Sequence, residues 1–301
     1  MPTAIQLHQL SKRYGPTLAL DALDLEVEAG EVFGYLGPNG SGKSTTIAIM
    51  LGLVRPTSGK ATIFGLDVRD DLLDVHRRIA YVPSEANLWP SLTGAEVLEF
   101  LANIHGSTDT AYRDELVERF DLDPHKKVRA YSHGNRQKVP LIAAFASRAD
   151  LLLLDEPTTG LDPLMEQEFR NCVRAARDRG QTVFLSSHVL SEVEAVCDRV
   201  AMLRAGRLIE TGRLDVLRSL AAVHVRATFD GPAPHLDGIP GVTGVRITDH
   251  TLECEVHGPM EPLVQALATT RVTHLTTREP SLEELFMARY GGSHKPGAQG
   301  R

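Results

Sequence analysis

Val32-Phe33-Gly34-Tyr35-Leu36-Gly37-Pro38-Asn39-Gly40-Ser41-Gly42-Lys43-Ser44-Thr45 decides how this chain is read. Val32 to Leu36 is a continuous apolar run, the pattern of a strand buried on both faces of a parallel sheet. The eight residues from Gly37 to Ser44, followed by Thr45, fit GxxxxGK[ST], and the apolar spacing from Thr46 to Leu53 reads as a helix. Strand, glycine-rich loop and helix in that order make an anion cradle. Gly37, Gly40 and Gly42, with Pro38, Asn39 and Ser41 between them, let backbone amides curl around phosphate, and the new helix directs its positive end at it. Lys43 then reaches the β- and γ-phosphates, the Ser44 hydroxyl reaches Mg²⁺, and Thr45 continues the turn. This is a nucleotide phosphate site.

Working outward, short strand-like runs alternate with helix-like runs over the first two-thirds of the chain, the pattern of an α/β domain. Ile5, Leu7 and Leu10 mark one strand, and Leu23, Leu25 and Val27 alternate in the next. Further strands are expected at 151–154, 182–185 and 200–203, with helices beginning near Pro163 and Val189. Between Thr93 and Ser147 only helical spacing is visible, which predicts a helical insert over about 93–148. Leu151 to Leu154 is a second buried strand, and it ends in Asp155-Glu156. That position puts two carboxylates at the carboxyl end of the sheet, where open α/β sheets bind ligands. Asp155 suits Mg²⁺ held through water, and Glu156 suits a general base on attacking water.

Beyond Leu220 the texture changes to alternating runs at 224–229, 244–248 and 252–256, a helical 261–267 and an extended 272–276. A small α+β domain over 219–290 is expected, with a helix at Ser281 to Tyr290 and a disordered tail at 291–301.

Composition bounds the rest. The 301 residues carry 32 Lys plus Arg against 39 Asp plus Glu, a net charge of −7, which argues against non-specific nucleic-acid binding. The longest apolar runs, 47–54 and 139–146, fall well short of the roughly 18–20 residues that cross a bilayer. The first residues lack the basic flank and apolar stretch of a secretory signal, and the expectation is a protein that stays where it is made. Cys172, Cys197 and Cys254 are far apart without CxxC spacing and read as reduced core thiols.

Five ordered motifs, over roughly residues 3–218, resemble the ATP-binding subunit of an ABC transporter. They are the phosphate loop at 37–45, Tyr131-Ser132-His133-Gly134-Asn135-Arg136-Gln137 as an LSGGQ-type signature, Asp155-Glu156-Pro157, Thr159-Gly160-Leu161-Asp162, and Ser186-Ser187-His188. The resemblance implies a RecA-like phosphate-loop core with an antiparallel β subdomain and a helical insert over 1–218. It implies ATP and Mg²⁺ as ligands, ATP hydrolysis as the activity, and Tyr14 as an adenine platform. Ser132, ahead of the helical run from Asn135, forms with the helix amides an anion site that has no phosphate of its own. In the family that surface, here Ser132, Gly134 and Asn135, closes on the γ-phosphate held by a second subunit. Two ATP molecules are thereby sandwiched in a head-to-tail homodimer. By the same resemblance His188 contacts the γ-phosphate and attacking water, and Asp162 acts across the interface.

Three positions depart from the family pattern. His133 replaces the first signature glycine, and Asn135 stands in for glutamine. Ser84 occupies the slot of a metal-touching glutamine, so that either the adjacent Glu85 contacts the metal or coupling works differently.

The resemblance further implies an integral membrane permease as partner and a place on the inner face of the cell membrane. Residues Leu88, Trp89 and Leu92 read either as a partner contact or as packing of the insert. The AsnLeuTrpPro segment, the signature and the SerLeuGluGluLeuPheMet run resemble the exporter branch that includes daunorubicin-resistance-type ATPases, so export of a drug, lipid or other amphipathic substrate is expected. The alternative is a soluble ABC-type ATPase acting on ribosome or DNA, for which fused cassettes or a long coiled-coil insertion would be expected and are not visible. A small-molecule kinase would leave the signature and SerSerHis unexplained.

Overall fold

The computed structural model describes residues 2–106, 108–219, 222–236 and 238–279. The helix expected at 281–290 and the tail at 291–301 lie outside them. The chain divides into two compact units after Gly212, and the boundary read from sequence at 218 falls inside a short helix, Leu214–Ser219.

In chain order the first unit contains β1 (Thr3–Tyr14), β2 (Thr17–Glu28), β3 (Val32–Leu36), α1 (Lys43–Met50), β4 (Ser58–Ile63), β5 (Leu66–Asp67), α2 (Leu72–Arg78) and β6 (Ile79–Val82). The insert follows as α3 (Gly94–His105), α4 (Thr110–Arg119) and α5 (His133–Ala146). Then come β7 (Leu151–Asp155), α6 (Pro163–Asp178), β8 (Thr182–Ser187), α7 (Leu190–Val196), β9 (Arg199–Arg204) and β10 (Arg207–Arg213).

These strands form two sheets. One, in the order β2-β1-β4-β5, is antiparallel. Its strands alternate as a half-buried surface demands, with Ile5, Leu7, Leu23, Leu25 and Val27 inward. The other, in the order β10-β9-β3-β8-β7-β6, is parallel through its centre, where β3, β7 and β8 are buried along their whole length. Its register matters for function. Leu36 pairs with Ser187, and Asp155 pairs with Ser186, so the carboxyl ends of β3, β7 and β8 finish side by side.

The insert is helical, as its spacing predicts. Thr93 and Glu96 form a reciprocal capping box at the start of α3, Asp109 caps α4, and Ser132 caps α5. Arg119 on α4 is paired with Glu115 and with Glu168 on α6, which ties the insert to the core. Pro140 lies inside α5 and is buried there, beside the buried Val139, Leu141, Ile142 and Phe145.

The second unit holds α8 (Leu214–Ser219), β11 (Val223–Asp230), β12 (Val242–Thr248), β13 (Thr251–Val256), α9 (Glu261–Leu267) and β14 (Arg271–Arg278). Its antiparallel sheet runs β12-β13-β11-β14. Val225, Ala227, Phe229, Leu252 and Val256 turn one face toward Leu263 and Leu267 of α9. Cys172, Cys197 and Cys254 are buried and free. Among the described residues no helix is long and apolar enough to cross a membrane.

Candidate active site

The phosphate loop joins β3 to α1. Gly42 is the N-cap of α1 at φ 114°, a backbone state that a side chain resists, and an added Cβ would lie 2.7 Å from the Ala19 carbonyl oxygen. The Tyr35 hydroxyl and the Thr46 hydroxyl are 3.0 Å apart in the core and fasten the start of α1 to β3. No side chain caps α1 and its first turn carries no acidic residue of its own, so the negative charge near its positive end comes from Asp155 at the end of β7 and Glu156 just beyond it. Among the described residues the buried Ser41 hydroxyl also has no hydrogen-bond partner. An uncapped helix start, an orphaned hydroxyl donor and a lysine together suit a phosphate group.

Lys43 is 5% exposed and folded back on its own loop. Its Nζ donates to the Gly37 carbonyl at 2.7 Å and the Pro38 carbonyl at 3.4 Å, and lies 3.6 Å from Glu156 Oε1. The other Glu156 oxygen, Oε2, lies 3.2 Å from His188 Nδ1. Three residues from three strand ends, 145 positions apart at the extremes, form one line of contacts. Glu156 attains this place with φ 46°, a left-handed conformation rare for a residue with a side chain, and its N–H donates to the Ser186 carbonyl at 3.0 Å.

Asp155 is 4% exposed and accepts a hydrogen bond from the Ser186 hydroxyl, its register neighbour. Burial pushes its carboxyl above the ordinary carboxylate range. The neighbouring Glu156 charge raises it further, while hydrogen bonds from Ser186 and Ser44 and the charge of Lys43 act in the opposite direction. A buried carboxylate beside a serine hydroxyl offers two hard oxygen donors, which fits Mg²⁺, an ion that keeps several waters and takes one or two protein ligands.

The remaining expected residues are placed differently. Ser132 is exposed and its hydroxyl accepts from the Asn135 N–H at 3.2 Å. Gly134 and Asn135 are partly buried in the first turn of α5. Asp162 is the N-cap of α6 and accepts from the N–H groups of Leu164 and Met165, both at 3.0 Å. Tyr14 ends β1, is 47% exposed, and has the Lys12 ammonium 4.8 Å from its ring centroid. Glu85 is exposed just beyond β6, and among the described residues its carboxylate makes no hydrogen bond or ion pair. Trp89 and Phe100 stack edge to face at 4.9 Å while each stays nearly half exposed, so Trp89 both packs on the insert and presents a surface.

Sequence reading missed three contributors. Ser186 was visible within SerSerHis, but its bond to Asp155 follows from strand register. Gln137, fully buried, donates to the Pro83 carbonyl at 2.9 Å, while its Oε1 has no hydrogen-bond partner among the described residues. Glu192 lies four residues after His188, one turn along α7, and accepts hydrogen bonds from two loops at once.

A parallel sheet whose strand ends gather a phosphate loop, a buried aspartate and a glutamate–histidine pair defines a nucleotide triphosphatase of the phosphate-loop class. The ABC transporter family model matches residues 20–159. The chain is 37% identical to the daunorubicin/doxorubicin resistance ATP-binding protein DrrA of Streptomyces peucetius, across 96% of this chain and 92% of that one. It is 33% identical to the Nod factor export ATP-binding protein I of Rhizobium etli, across 95% and 92%. In three dimensions it resembles the dimeric, post-hydrolysis ATP-binding cassette MJ0796 bound to ADP and Pi, at TM-score 0.63 and 25% identity, over 70% of this chain and 98% of that one. The chain belongs to the ABC transporter family, as an ATP-binding, ATP-hydrolysing subunit of the drug-resistance type.

Proposed function

We propose that this subunit powers an exporter through closure of two copies around two ATP molecules, with an integral membrane permease as the working partner. The observation that carries the reading is the Lys43–Glu156–His188 line of contacts beside the phosphate loop. Export is supported by relatives whose names specify drug resistance and Nod factor export. A drug, lipid or other amphipathic molecule is the cargo class these names favour.

In this reading Lys43 leaves the Gly37 and Pro38 carbonyls for the β- and γ-phosphates, joined by the amides of residues 37–45 and the Ser41 hydroxyl. Ser44 and Asp155 would hold Mg²⁺, which neutralises charge on the phosphates. Glu156 accepts a proton from the attacking water, and His188 steadies that water and the γ-phosphate. Tyr14 stacks on adenine with the ring face not taken by Lys12. Ser132, Gly134 and Asn135 serve the second copy's nucleotide, and Asp162 works at the interface. Glu85, next to Ser84, is the candidate for a further metal contact.

The permease is expected to contact the insert near Trp89 and Phe100, with the subunit peripheral on the cytoplasmic face of the membrane. Purification from the membrane fraction tests this directly. A co-purifying multi-span permease is the expected result; recovery of ribosomes or DNA without any membrane protein would contradict it.

A further inference from the structure

One carboxylate near the site has no role in the chemistry above, yet joins the two segments that flank it. Glu192 of α7 accepts from the Thr158 hydroxyl through Oε1 at 2.5 Å and from the Ser187 hydroxyl through Oε2 at 2.8 Å. Both hydroxyls are buried, Thr158 being 7% and Ser187 1% exposed. Ser187 immediately precedes His188, and its hydroxyl also accepts from the Val189 N–H at 2.9 Å, so it sets the local course of the histidine loop. Thr158 opens a turn closed by the Leu161 N–H to the Thr158 carbonyl at 2.9 Å, and that turn leads to Asp162 at the head of α6.

The same turn touches the signature. A Cβ on Gly134 would lie 2.4 Å from the Gly160 carbonyl oxygen, and a Cβ on Gly160 would lie 2.4 Å from His133 Cδ2. Gly160 itself has φ 82°, and Gly134 packs against the Gly160 backbone and Gly160 against the His133 ring, with no room for a side chain on Gly134. A continuous set of contacts therefore runs from His188 through Ser187, Glu192 and the 158–161 turn to His133 and Gly134. Glu156, His188, Thr158, Gly160 and Glu192 all line one cleft of about 280 Å³.

We infer that Glu192 is a positioning residue that locks the histidine loop to the 158–161 turn, so that the state of Glu156 and His188 in one nucleotide site sets the placement of the signature that the same chain lends to the other. The inference rests on the two-site sandwich proposed above. With two charge-assisted hydrogen bonds, Glu192 makes the two loops move together rather than independently. Loss of that link leaves both half-sites chemically complete but uncoordinated.

The test is the ATP dependence of steady-state hydrolysis by the full chain. Glu192→Ala is expected to lower kcat by about tenfold, the scale of a lost hydrogen bond to a charged group. The Hill coefficient should fall from about 2 toward about 1, while a fluorescent ATP analogue still binds the single chain with unchanged affinity. Thr158→Val should reproduce the effect, Thr158→Ser should restore it, and Thr158→Val added to Glu192→Ala should cost nothing more. These threonine variants carry the test if Glu192→Ala does not fold. Unchanged cooperativity in Glu192→Ala, or effects of Thr158→Val and Glu192→Ala that multiply, would overturn the inference. Glu156→Gln serves as the control: if it dimerises with ATP while Glu192→Ala keeps full cooperativity, only the link through Glu192 fails. If it never dimerises, the sandwich fails and takes this inference with it.

Discussion

The phosphate loop and the signature are both anion sites at helix starts, yet one is closed on itself and the other is open. Around α1, Lys43 is buried and meets two carbonyls and the Glu156 carboxylate, whose other oxygen faces His188. Around α5, Ser132 is exposed and bonded only to its own helix. In the proposed reading the difference separates a catalytic cluster from a recognition surface that serves the other copy's phosphate. A buried lysine bonded to its own loop must exchange those bonds for phosphate contacts, whereas an exposed helix start is free to meet a phosphate arriving on another molecule.

Variants at the two sites should separate accordingly. Lys43→Ala removes the central charge of the closed site and should lower hydrolysis by about a thousandfold with loss of ATP binding, read by steady-state turnover and analogue titration. Glu156→Gln should cost on the order of a hundredfold in kcat while ATP binding persists, because the amide cannot accept the proton from water. Ser132→Ala acts on the open site and should reduce kcat by about tenfold, with binding of ATP to the single chain unaltered. Equal loss of single-chain binding in Ser132→Ala and Lys43→Ala would erase the distinction.

Asp155 sharpens the comparison through pH. Its carboxyl titrates above its ordinary range in the fold, so the folded state binds that proton more tightly than the unfolded chain. Its contribution is therefore favourable at acid pH, below the unfolded value, and is lost as pH rises through the folded one. At neutral pH the buried charge is a cost, and Asp155→Asn should raise the nucleotide-free melting temperature by a few degrees while abolishing Mg²⁺-dependent turnover. The gain should vanish as pH falls below the usual carboxylate range; a gain that grows on acidification contradicts the assignment. The smallest effect is expected at the 83–88 segment, where Glu85→Ala should lower Mg²⁺-dependent hydrolysis by about threefold and Ser84→Ala by less. The reverse order would exclude substitution by Glu85.

Much of this was legible in the residues. Continuous apolar runs mark β3 and β7 as central strands because burial on both faces leaves no room for polar alternation, and the glycine-rich loop between β3 and α1 announces its ligand. Other parts were hidden by their dependence on distant partners. β4, Ser58–Ile63, has little apolar pattern and exists because β1 pairs with it. The start of α1 at Lys43 precedes its first apolar turn, since phosphate-loop residues open the helix. The left-handed backbone of Glu156 and the bridge from Glu192 to Thr158 and Ser187 arise only when β7, β8 and α7 are assembled. The twelve-residue β1 and β2 show alternation, but their separation into an antiparallel sheet beside the parallel one comes from pairing, which alternation alone does not specify.

The central claim is that two copies complete each other's nucleotide sites. The most direct measurement is the solution mass of Glu156→Gln by light scattering, with and without saturating ATP, beside Lys43→Ala. The account predicts a doubled mass for Glu156→Gln only when ATP is present, and a single-chain mass for Lys43→Ala throughout. A Glu156→Gln protein that binds ATP and keeps the mass of one chain would contradict it.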